Sequence, residues 1–581
     1  MIPFNRESLW AQVTQTPQWD VIVVGGGITG AGILREAARA GLRALLVEQR
    51  DFAWGTSSRS SKMVHGGLRY LKQGQISVTY QSVRERQNLL HAGEGLVEPL
   101  GFLMPMHSKG STRLIYKLGL SAYDLMALRW EHREYSNEEM ALLAPRLSAE
   151  RLHGGFYFED AQTDDARLVL RILQEAVADG GVALNYARVT RLLKDETGMV
   201  CGVSIADAES ERIYEAQARV VINATGAWVD GLRADVGGES RIRPLRGSHL
   251  IFPSWRFPLA QAVSFPHPHD GRPVFVYPWE EVTLVGTTDL DHHADLNAEP
   301  GISGDEVAYL LAACCANFPA LDLTVDDILS TYAGVRPVIG TGKTDPSKES
   351  RDHVVWLEGG LLSVTGGKLT TFRVIALDAL ETALPYLPQG TRFTADAPAL
   401  NPVGKALPRA ADALTVQQRT RLSGRYGACF AEMLNEAPPD SLTLIPNTRT
   451  LWAELWWAAH REAVQHLDDL LLRRTRIGLT LPQGGMMHIA RIRALCAPEL
   501  GWDETRWQHE IERYTQLWQT CYRVPARALI PPIKAYLPSE WPISSPKGQQ
   551  SYYGAWMALG GALVTGIAGV WWLWRKRQAH P

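Results

Sequence analysis

The sequence has little of what marks several large classes of protein. It contains six cysteines in 581 residues and no C-x-x-C pair, so it predicts buried thiols in a reducing compartment rather than a disulfide framework. No zinc finger or calcium loop is present, and we predict no metal site. The formal net charge is −3, and there is no basic arm or recognition-helix pattern, which excludes nucleic acid as the expected partner.

The N-terminal residues 1–19 also lack the features of a targeting segment. They contain no long apolar run and no twin arginine, and their one basic residue, Arg6, is followed by an acid. A secretory signal needs an apolar core, and a transit peptide is rich in arginine. We therefore interpret residues 1–19 as a leader that precedes the first domain.

Long uncharged runs are scarce, and the one that stands out lies near the C-terminus. Residues 555–574 are twenty residues without a charge, followed by Arg575, Lys576 and Arg577. Twenty residues at helical rise span about 30 Å, the thickness of a hydrocarbon core, and tyrosine or tryptophan stands at both ends, as at membrane interfaces. We predict a transmembrane helix over 552–574, with a buried core helix as the alternative.

This predicted anchor carries expectations about location and assembly. Nothing at the N-terminus would export the main body, so we expect a single-pass C-terminal anchor in the cell (inner) membrane, contact with membrane lipid, and a cytoplasmic catalytic domain. The positive-inside bias, by contrast, would place the basic tail in the cytoplasm and the main body outside. Small residues recur at a spacing of four, at Gly554, Ala558, Ala562 and Gly566. They permit a homodimer through close helix packing, although small residues are common in membrane spans.

What the chain does contain is a dinucleotide-binding pattern near its start. The apolar run DVIVV (20–24) is followed by Gly25, Gly27 and Gly30, a helical segment, and a second apolar run that ends at Glu48. The glycines allow a tight turn and a close approach of backbone N–H groups to a pyrophosphate. Glu48 stands at the spacing of the ribose-binding acid. Since a carboxylate there disfavours a 2′-phosphate, FAD or NAD is expected rather than NADP.

Later strand ends favour FAD and complete the fold prediction. Apolar strands end in Thr225–Gly226 and in Gly366–Gly367–Lys368, which suit a cofactor whose ring lies far from the first turn. Each could also be an ordinary turn. A helix N-terminus and a lysine there would stabilise an anionic reduced flavin. We predict an α/β FAD fold with an antiparallel-sheet substrate domain, an α-helical C-terminal domain and a single C-terminal transmembrane helix.

Changes in composition divide the chain into seven parts. The predicted divisions are a leader (1–19), an FAD-dependent oxidoreductase domain in which the FAD fold and substrate domain interleave (20–390), a linker (391–408), a helical C-terminal domain (409–529), a second linker (530–551), the transmembrane helix (552–574) and a basic tail (575–581).

Nine motifs occur in the order of a known family. They are GGGITGAG, GTSSRSSKMVHGGLRYL, FEDAQTDDARLVL, VINATGAWVD, RPLRGSHL, VGTTD, TYAGVRPVIG, SVTGGKLTTFR and LLLRRTRIGL. Together they closely resemble the FAD-dependent, respiratory-chain-linked glycerol-3-phosphate dehydrogenases over about residues 18–480. The resemblance implies a glutathione-reductase-like FAD fold and oxidation of sn-glycerol 3-phosphate to dihydroxyacetone phosphate. It also implies that electrons pass through FAD to quinone.

The resemblance also implies three sets of site residues. Those expected to contact the flavin or its pyrophosphate are Thr56, Ser57 and Ser61. Those expected to form a cationic substrate pocket are Arg69, Arg336 and Lys368. The catalytic candidates are His65, His249 and Arg336. The physical chemistry agrees, because arginine offers paired donors to a phosphate and a histidine of near-neutral pKa can take a hydroxyl proton.

Several alternatives stay open at this point. The cations could bind the carboxylate of another hydroxy acid or of an amino acid, electrons could pass to oxygen, or the chain could be a non-catalytic flavin-binding membrane scaffold. Either histidine could be the base, His249 could be structural, and Arg336 could pair with a buried acid. Ala227 stands where the family commonly has proline, and a C-terminal span is not expected of the family.

Overall fold

The computed structural model describes residues 6–68, 75–107, 111–127, 129–150, 152–340, 352–403 and 407–537. The helices within these residues are α1 (Arg6–Gln15), α2 (Ile28–Arg39), α3 (Ile76–Ala92), α4 (Ser111–Ala127), α5 (Asn137–Leu143), α6 (Asp165–Ala178), α7 (Val229–Ala234), α8 (Gly304–Asn317), α9 (Phe372–Ala383), α10 (Val416–Tyr426), α11 (Phe430–Glu436), α12 (Trp452–Arg461), α13 (Ile477–Thr480), α14 (Ile489–Leu500) and α15 (Glu504–Cys521).

The strands in the same residues form two sheets. They are β1 (Trp19–Val24), β2 (Ala44–Val47), β3 (Met63–Val64), β4 (Val97–Pro105), β5 (Arg133–Tyr135), β6 (Gly155–Thr163), β7 (Val182–Leu184), β8 (Ala187–Lys194), β9 (Val200–Asp207), β10 (Ile213–Asn223), β11 (Ile242–Pro253), β12 (Ala262–Pro266), β13 (Pro273–Trp279), β14 (Val282–Gly286), β15 (Leu290–Asp291), β16 (Ser330–Ile339), β17 (Val354–Glu358) and β18 (Leu361–Thr365).

The first sheet has a parallel core in the order β18-β10-β1-β2-β7, with β17 antiparallel at one edge. Strand β1 is buried on both faces. Val21 and Val23 pack with helices α2, α6 and α9, whereas Ile22 and Val24 pack with α1 and β9. This double burial explains why the strand is a continuous apolar run without alternation. The predicted unit of strand, helix and strand is present, and its carboxyl ends open at one edge of the sheet.

The second sheet is built mainly of antiparallel strands in the order β15-β11-β14-β13-β12-β4-β6-β3, and β16 pairs with β11 along its whole length. One face packs against α8 through residues such as Phe252 and Leu310. The other face shares an apolar core with the helical C-terminal domain, where Tyr277 and Leu284 join Trp507. The sheet therefore lies between α8 and the C-terminal helices.

Two segments predicted as connections contain ordered contacts. The predicted leader forms α1, whose Trp10 stacks on Tyr214 of β10 with ring centroids 4.3 Å apart. In the predicted linker 391–408, the N–H of Asn401 donates to the carboxylate of Glu175 on α6 at 3.0 Å. Both segments therefore pack against the first domain. The exact domain divisions stay a prediction.

The fold prediction requires one correction, which concerns the transmembrane helix. Within the described residues, no helix is both long and apolar enough to cross a bilayer. Helix α15, with 18 residues, carries several charged side chains along its length, and these would be costly in hydrocarbon. The predicted span 552–574 and the tail 575–581 lie outside the described residues. The architecture is therefore an FAD-type α/β fold with a helical C-terminal domain, stated without a membrane-spanning helix.

Candidate active site

The carboxyl ends of β1 and β2 meet at the glycine turn. Gly25 has a φ of +115°, and a Cβ there would lie 2.6 Å from the carbonyl oxygen of Ala224, so only glycine permits this approach of the turn to β10. The carboxylate of Glu48 accepts the N–H of Gly26 at 2.6 Å and that of Arg50 at 2.9 Å. Burial raises the pKa of Glu48, and these two N–H groups oppose the rise. The side chain is thereby fixed at the end of β2.

The start of α2 forms a cradle with the loop that follows β2. Helix α2 begins after Gly27 without a side-chain cap from that residue, and the N–H of Ile28 donates to the hydroxyl of Ser57 at 2.9 Å. Gly30 is buried in the first turn, against the carbonyl of Gly25. Backbone N–H groups at the start of a helix carry partial positive charge and suit a pyrophosphate. The donors present therefore fit the phosphates of a dinucleotide.

The ends of β10 and β18 complete this edge of the first sheet. The hydroxyl of Thr225 donates to the side-chain oxygen of Asn223 at 2.6 Å, and the carbonyl of Gly226 accepts from Thr365 at 3.2 Å. Gly366–Gly367 continue in left-handed backbone and lead toward α9. The structure thus brings the predicted glycine and threonine residues at the ends of four parallel strands to one edge of the first sheet, called the crevice below.

Residues 51–62, called the cofactor segment below, connect this crevice with the second sheet. Ser57 bonds to α2, as described above, whereas the hydroxyl of Thr56 donates to the carbonyl of Val335 on β16 at 2.5 Å. Ser61 lies farther along and contacts β11. The segment therefore joins the first sheet to the second, with contacts to α2, β16 and β11.

His249 is fully buried on β11. Its Nε2 lies 2.9 Å from the hydroxyl oxygen of Ser61, and its ring stacks on Tyr332 of β16 at a centroid distance of 4.5 Å. Its buried Nδ1 has no hydrogen-bond partner in the part of the chain that is described. Burial, followed by the charges of Arg336 and Lys62, holds the pKa of His249 well below its usual value. The imidazole is therefore neutral at physiological pH.

Arg336 lies on β16, and its guanidinium covers Gly247 of the paired strand β11. One nitrogen donates to the carboxylate of Asp289 at 3.1 Å and the other to the hydroxyl of Thr287 at 3.0 Å. The side chain is about one-fifth exposed, whereas that of Asp289 is nearly buried. Arg336 therefore has an acidic partner, as one alternative from the sequence required, and still presents part of its charge to the site.

The remaining predicted site residues belong to other elements. The ammonium group of Lys368 donates to the hydroxyl of Ser82 on α3 at 3.0 Å, and the hydroxyl of Thr370 donates to the backbone carbonyl of His65 at 3.1 Å. Arg69 lies outside the described residues. Lys368 and Arg336 thus contact different elements, and the pocket of three cations stays a prediction.

Sequence reasoning missed a buried ammonium group beside the imidazole. Lys62 is fully buried, and its Nζ donates to the carbonyl of Ser58 and to the carboxylate of Asp165, each at 3.1 Å. The same Nζ lies 4.7 Å from the ring centroid of Tyr332. Burial and the charge of Arg476 lower the pKa of Lys62 to about 8. These residues stand inside the quoted motifs, yet no local pattern indicates which of them meet.

Two protein families together match most of the residues that the structure describes. The family described as "FAD dependent oxidoreductase" matches residues 20–373, and the family described as "C-terminal domain of alpha-glycerophosphate oxidase" matches residues 395–507. The first match contains both sheets and the crevice, and the second contains most of the C-terminal helices.

Individual relatives give the same assignment. The aerobic glycerol-3-phosphate dehydrogenase of Staphylococcus haemolyticus (strain JCSC1435) is 35% identical over 502 residues, which cover 81% of this chain and 89% of the relative. The crystal structure of the glycerol-3-phosphate dehydrogenase from Bacillus halodurans with FAD has a TM-score of 0.72 and 30% identity, over 88% of this chain and 97% of that one. The L-alpha-glycerophosphate oxidase of Mycoplasma pneumoniae with FAD has a TM-score of 0.54 at 19% identity, over 67% of this chain and 100% of that one, and supports the fold alone.

Proposed function

This chain belongs to the family of FAD-dependent oxidoreductases that includes the aerobic glycerol-3-phosphate dehydrogenases, and we propose that it oxidises sn-glycerol 3-phosphate to dihydroxyacetone phosphate and passes the electrons to a quinone. The observation that carries the proposal is that a cationic side chain and a proton acceptor lie near each other. Arg336 and His249 lie on the paired strands β16 and β11, and Ser61 of the cofactor segment contacts His249. A phosphorylated secondary alcohol needs both kinds of group.

The cofactor is FAD, and the residues of the crevice fit it. We propose that Glu48 accepts from a ribose hydroxyl, that the N-terminal turn of α2 with Ser57 holds the pyrophosphate, and that the ends of β10 and β18, including Thr225 and Gly366, approach the flavin. When bound, FAD supplies the acceptor for the hydride that leaves C2 of the substrate.

The remaining site residues are assigned roles by their chemistry. Arg336 binds the phosphate with its planar pair of donors, and Lys368 and Arg69 add positive charge. The hydroxyl proton of the substrate passes to the Ser61–His249 pair, because the imidazole is neutral at the start and can accept it. The lowered pKa makes His249 a weaker base than the near-neutral histidine that the sequence predicted, so the pH dependence of kcat/KM in His249→Asn and His65→Asn variants is the measurement that decides between the two histidines.

An anaerobic titration tests the substrate. The purified full-length protein, loaded with FAD, should lose its flavin absorbance when sn-glycerol 3-phosphate is added and regain it when a quinone analogue follows. Glycerol, which has the same alcohol without the phosphate, is the matched control and should leave the spectrum unchanged. Bleaching by other hydroxy acids or by amino acids, but not by glycerol 3-phosphate, would contradict the proposal. If oxygen reoxidises the reduced flavin rapidly and the quinone analogue does not, oxygen would replace quinone as the proposed electron acceptor.

We also propose that the protein contacts membrane lipid, where a quinone is available, through α4. The side chains of Leu114, Leu118 and Leu125 are each at least half exposed, at 60, 58 and 51%, and their spacing places them on one side of the helix. Lys117 is 56% exposed on the same helix. Exposed leucines flanked by lysine are typical of helices that lie in a membrane interface. The homodimer stays a prediction.

Flotation with vesicles that contain anionic lipid tests this contact. Wild-type protein should float with the vesicles, and the double variant Leu114→Glu/Leu118→Glu should float at least several-fold less. The reason is that charged groups replace the apolar side chains proposed to become buried in the lipid. Val416→Glu, at a residue that is 74% exposed on α10, is the matched control. Equal flotation of all three proteins would remove α4 from the proposal.

A further inference from the structure

Three arginines from one short run of the helical C-terminal domain reach into the first domain. Arg473 and Arg474 both bind the carboxylate of Asp51, at the start of the cofactor segment, with nitrogen–oxygen distances of 2.6 Å and 2.7–2.8 Å. The side chains of Arg473, Arg474 and Asp51 are all essentially buried. Burial alone would raise the pKa of Asp51, but the two guanidinium groups lower it overall. The first end of the segment is therefore held by charge.

The third arginine of this run, Arg476, holds the other end of the segment. Its guanidinium donates to the backbone carbonyl of Ser58 at 3.1 Å and to the carboxylate of Asp164 at 2.9 Å, and it also pairs with Asp165. Asp165 in turn accepts the N–H and the hydroxyl of Ser60, at 3.0 and 2.7 Å. Arg476 thus reaches the segment both directly and through a carboxylate.

We propose that the run Arg473–Arg476 positions the cofactor segment for FAD and that the helical domain is in this way part of the cofactor site. Between the two held ends lie Ser57, which bonds to the start of α2, and Thr56, which bonds to β16. Ser61 follows with its bond to His249. A segment fixed at both ends keeps these hydroxyls in place before the cofactor arrives, and such preorganisation raises affinity.

A merely structural role predicts a different pattern, and the chain offers a matched control. Arg421 lies in the same domain, is equally buried, and pairs with Glu454 at 2.8 Å and Glu280 at 3.1 Å. None of its described hydrogen bonds or ion pairs involves the cofactor segment. Loss of either arginine removes one cationic partner from carboxylates that keep another, since Asp165 still pairs with Lys62 and both Asp164 and Glu454 still pair with Arg425. Both variants should therefore lose stability. Only the loss of Arg476 should also weaken FAD binding.

The test compares FAD affinity with stability in the full-length protein. Apoprotein of Arg476→Met, Arg476→Lys and Arg421→Met is titrated with FAD without substrate, and amide hydrogen exchange of residues 51–62 is measured in parallel. We expect the Kd for FAD to rise about 10- to 100-fold in Arg476→Met, since hydrogen bonds from a charged group are lost. Exchange in the segment should become faster. In Arg421→Met the Kd should stay within about threefold.

Arg476→Lys guards against a variant that fails to fold. Lysine keeps the charge but lacks the planar fork that reaches Ser58 and Asp164 together, so its Kd for FAD should also rise. Equal Kd values for the Arg476 and Arg421 variants, or wild-type affinity in Arg476→Lys together with unchanged exchange, would overturn the proposal. Because no substrate is present, failure of the glycerol 3-phosphate assignment would not alter these outcomes. The inference rests only on the FAD site.

Discussion

The two sheets hold their functional groups in different ways. In the first sheet, Glu48 and the glycine turn lie within one local unit, and the groups that fix Glu48 are backbone N–H groups two residues away and at the turn itself. In the second sheet, His249 depends on Ser61, 188 positions away along the chain. The comparison teaches that the Glu48 end of the cofactor site is built locally, whereas the rest of the cofactor site and the substrate half are assembled from distant segments.

Replacement of Arg336 tests the separation of the two halves most strongly. Arg336→Leu removes the paired donors proposed for the phosphate, and kcat/KM for glycerol 3-phosphate should fall about 100- to 1,000-fold, mostly through KM. The Kd for FAD should stay near the wild-type value, because the guanidinium of Arg336 hydrogen-bonds to Thr287 and Asp289, which follow β14 of the second sheet. Steady-state kinetics and an FAD titration measure the two quantities.

Two further variants separate binding from folding in this experiment. Arg256→Leu removes an arginine of similar exposure that pairs with Asp327 in the same domain, and its KM should be unchanged. Adding Asp289→Asn to Arg336→Leu also removes the acidic group that pairs with Arg336, so part of the lost stability should return while KM stays high. If FAD is lost together with substrate affinity, the two halves are not separate and Arg336 is structural.

The same difference explains what could be predicted from the sequence. The unit β1–α2–β2 was predicted because a buried parallel strand, a glycine turn and an acid at a fixed spacing are local patterns. The pairing of Ser61 with His249 and that of Arg476 with Ser58 were not predicted. Each partner stands in a recognisable motif, but the contact is set by how β11 and the helical domain pack, and one sequence does not contain that information.

Composition alone said less about the two ends of the chain. Residues 1–19 are interpreted as a leader because they lack a long apolar run and a twin arginine, and that division stays a prediction; within it, α1 buries Leu9, Trp10 and Val13 against the first sheet. An uncharged run led to a fold with a transmembrane helix, and no described helix has that character. Composition reports solubility in a given environment, whereas burial depends on the surfaces that the rest of the fold provides.

Replacement of Glu48 gives the smaller and complementary effect. Glu48→Ala removes the carboxylate proposed to accept from the ribose and also leaves the N–H groups of Gly26 and Arg50 without that acceptor. The Kd for FAD should rise about 10- to 100-fold, whereas KM for glycerol 3-phosphate should be unchanged once FAD is saturating. Glu48→Gln keeps a side-chain oxygen, so its Kd for FAD should lie between that of the wild type and that of Glu48→Ala. A rise in KM at saturating FAD would mean that Glu48 and the glycine turn also help to position the substrate. The two sheets would then differ in how they are assembled but not in whether they bind cofactor or substrate.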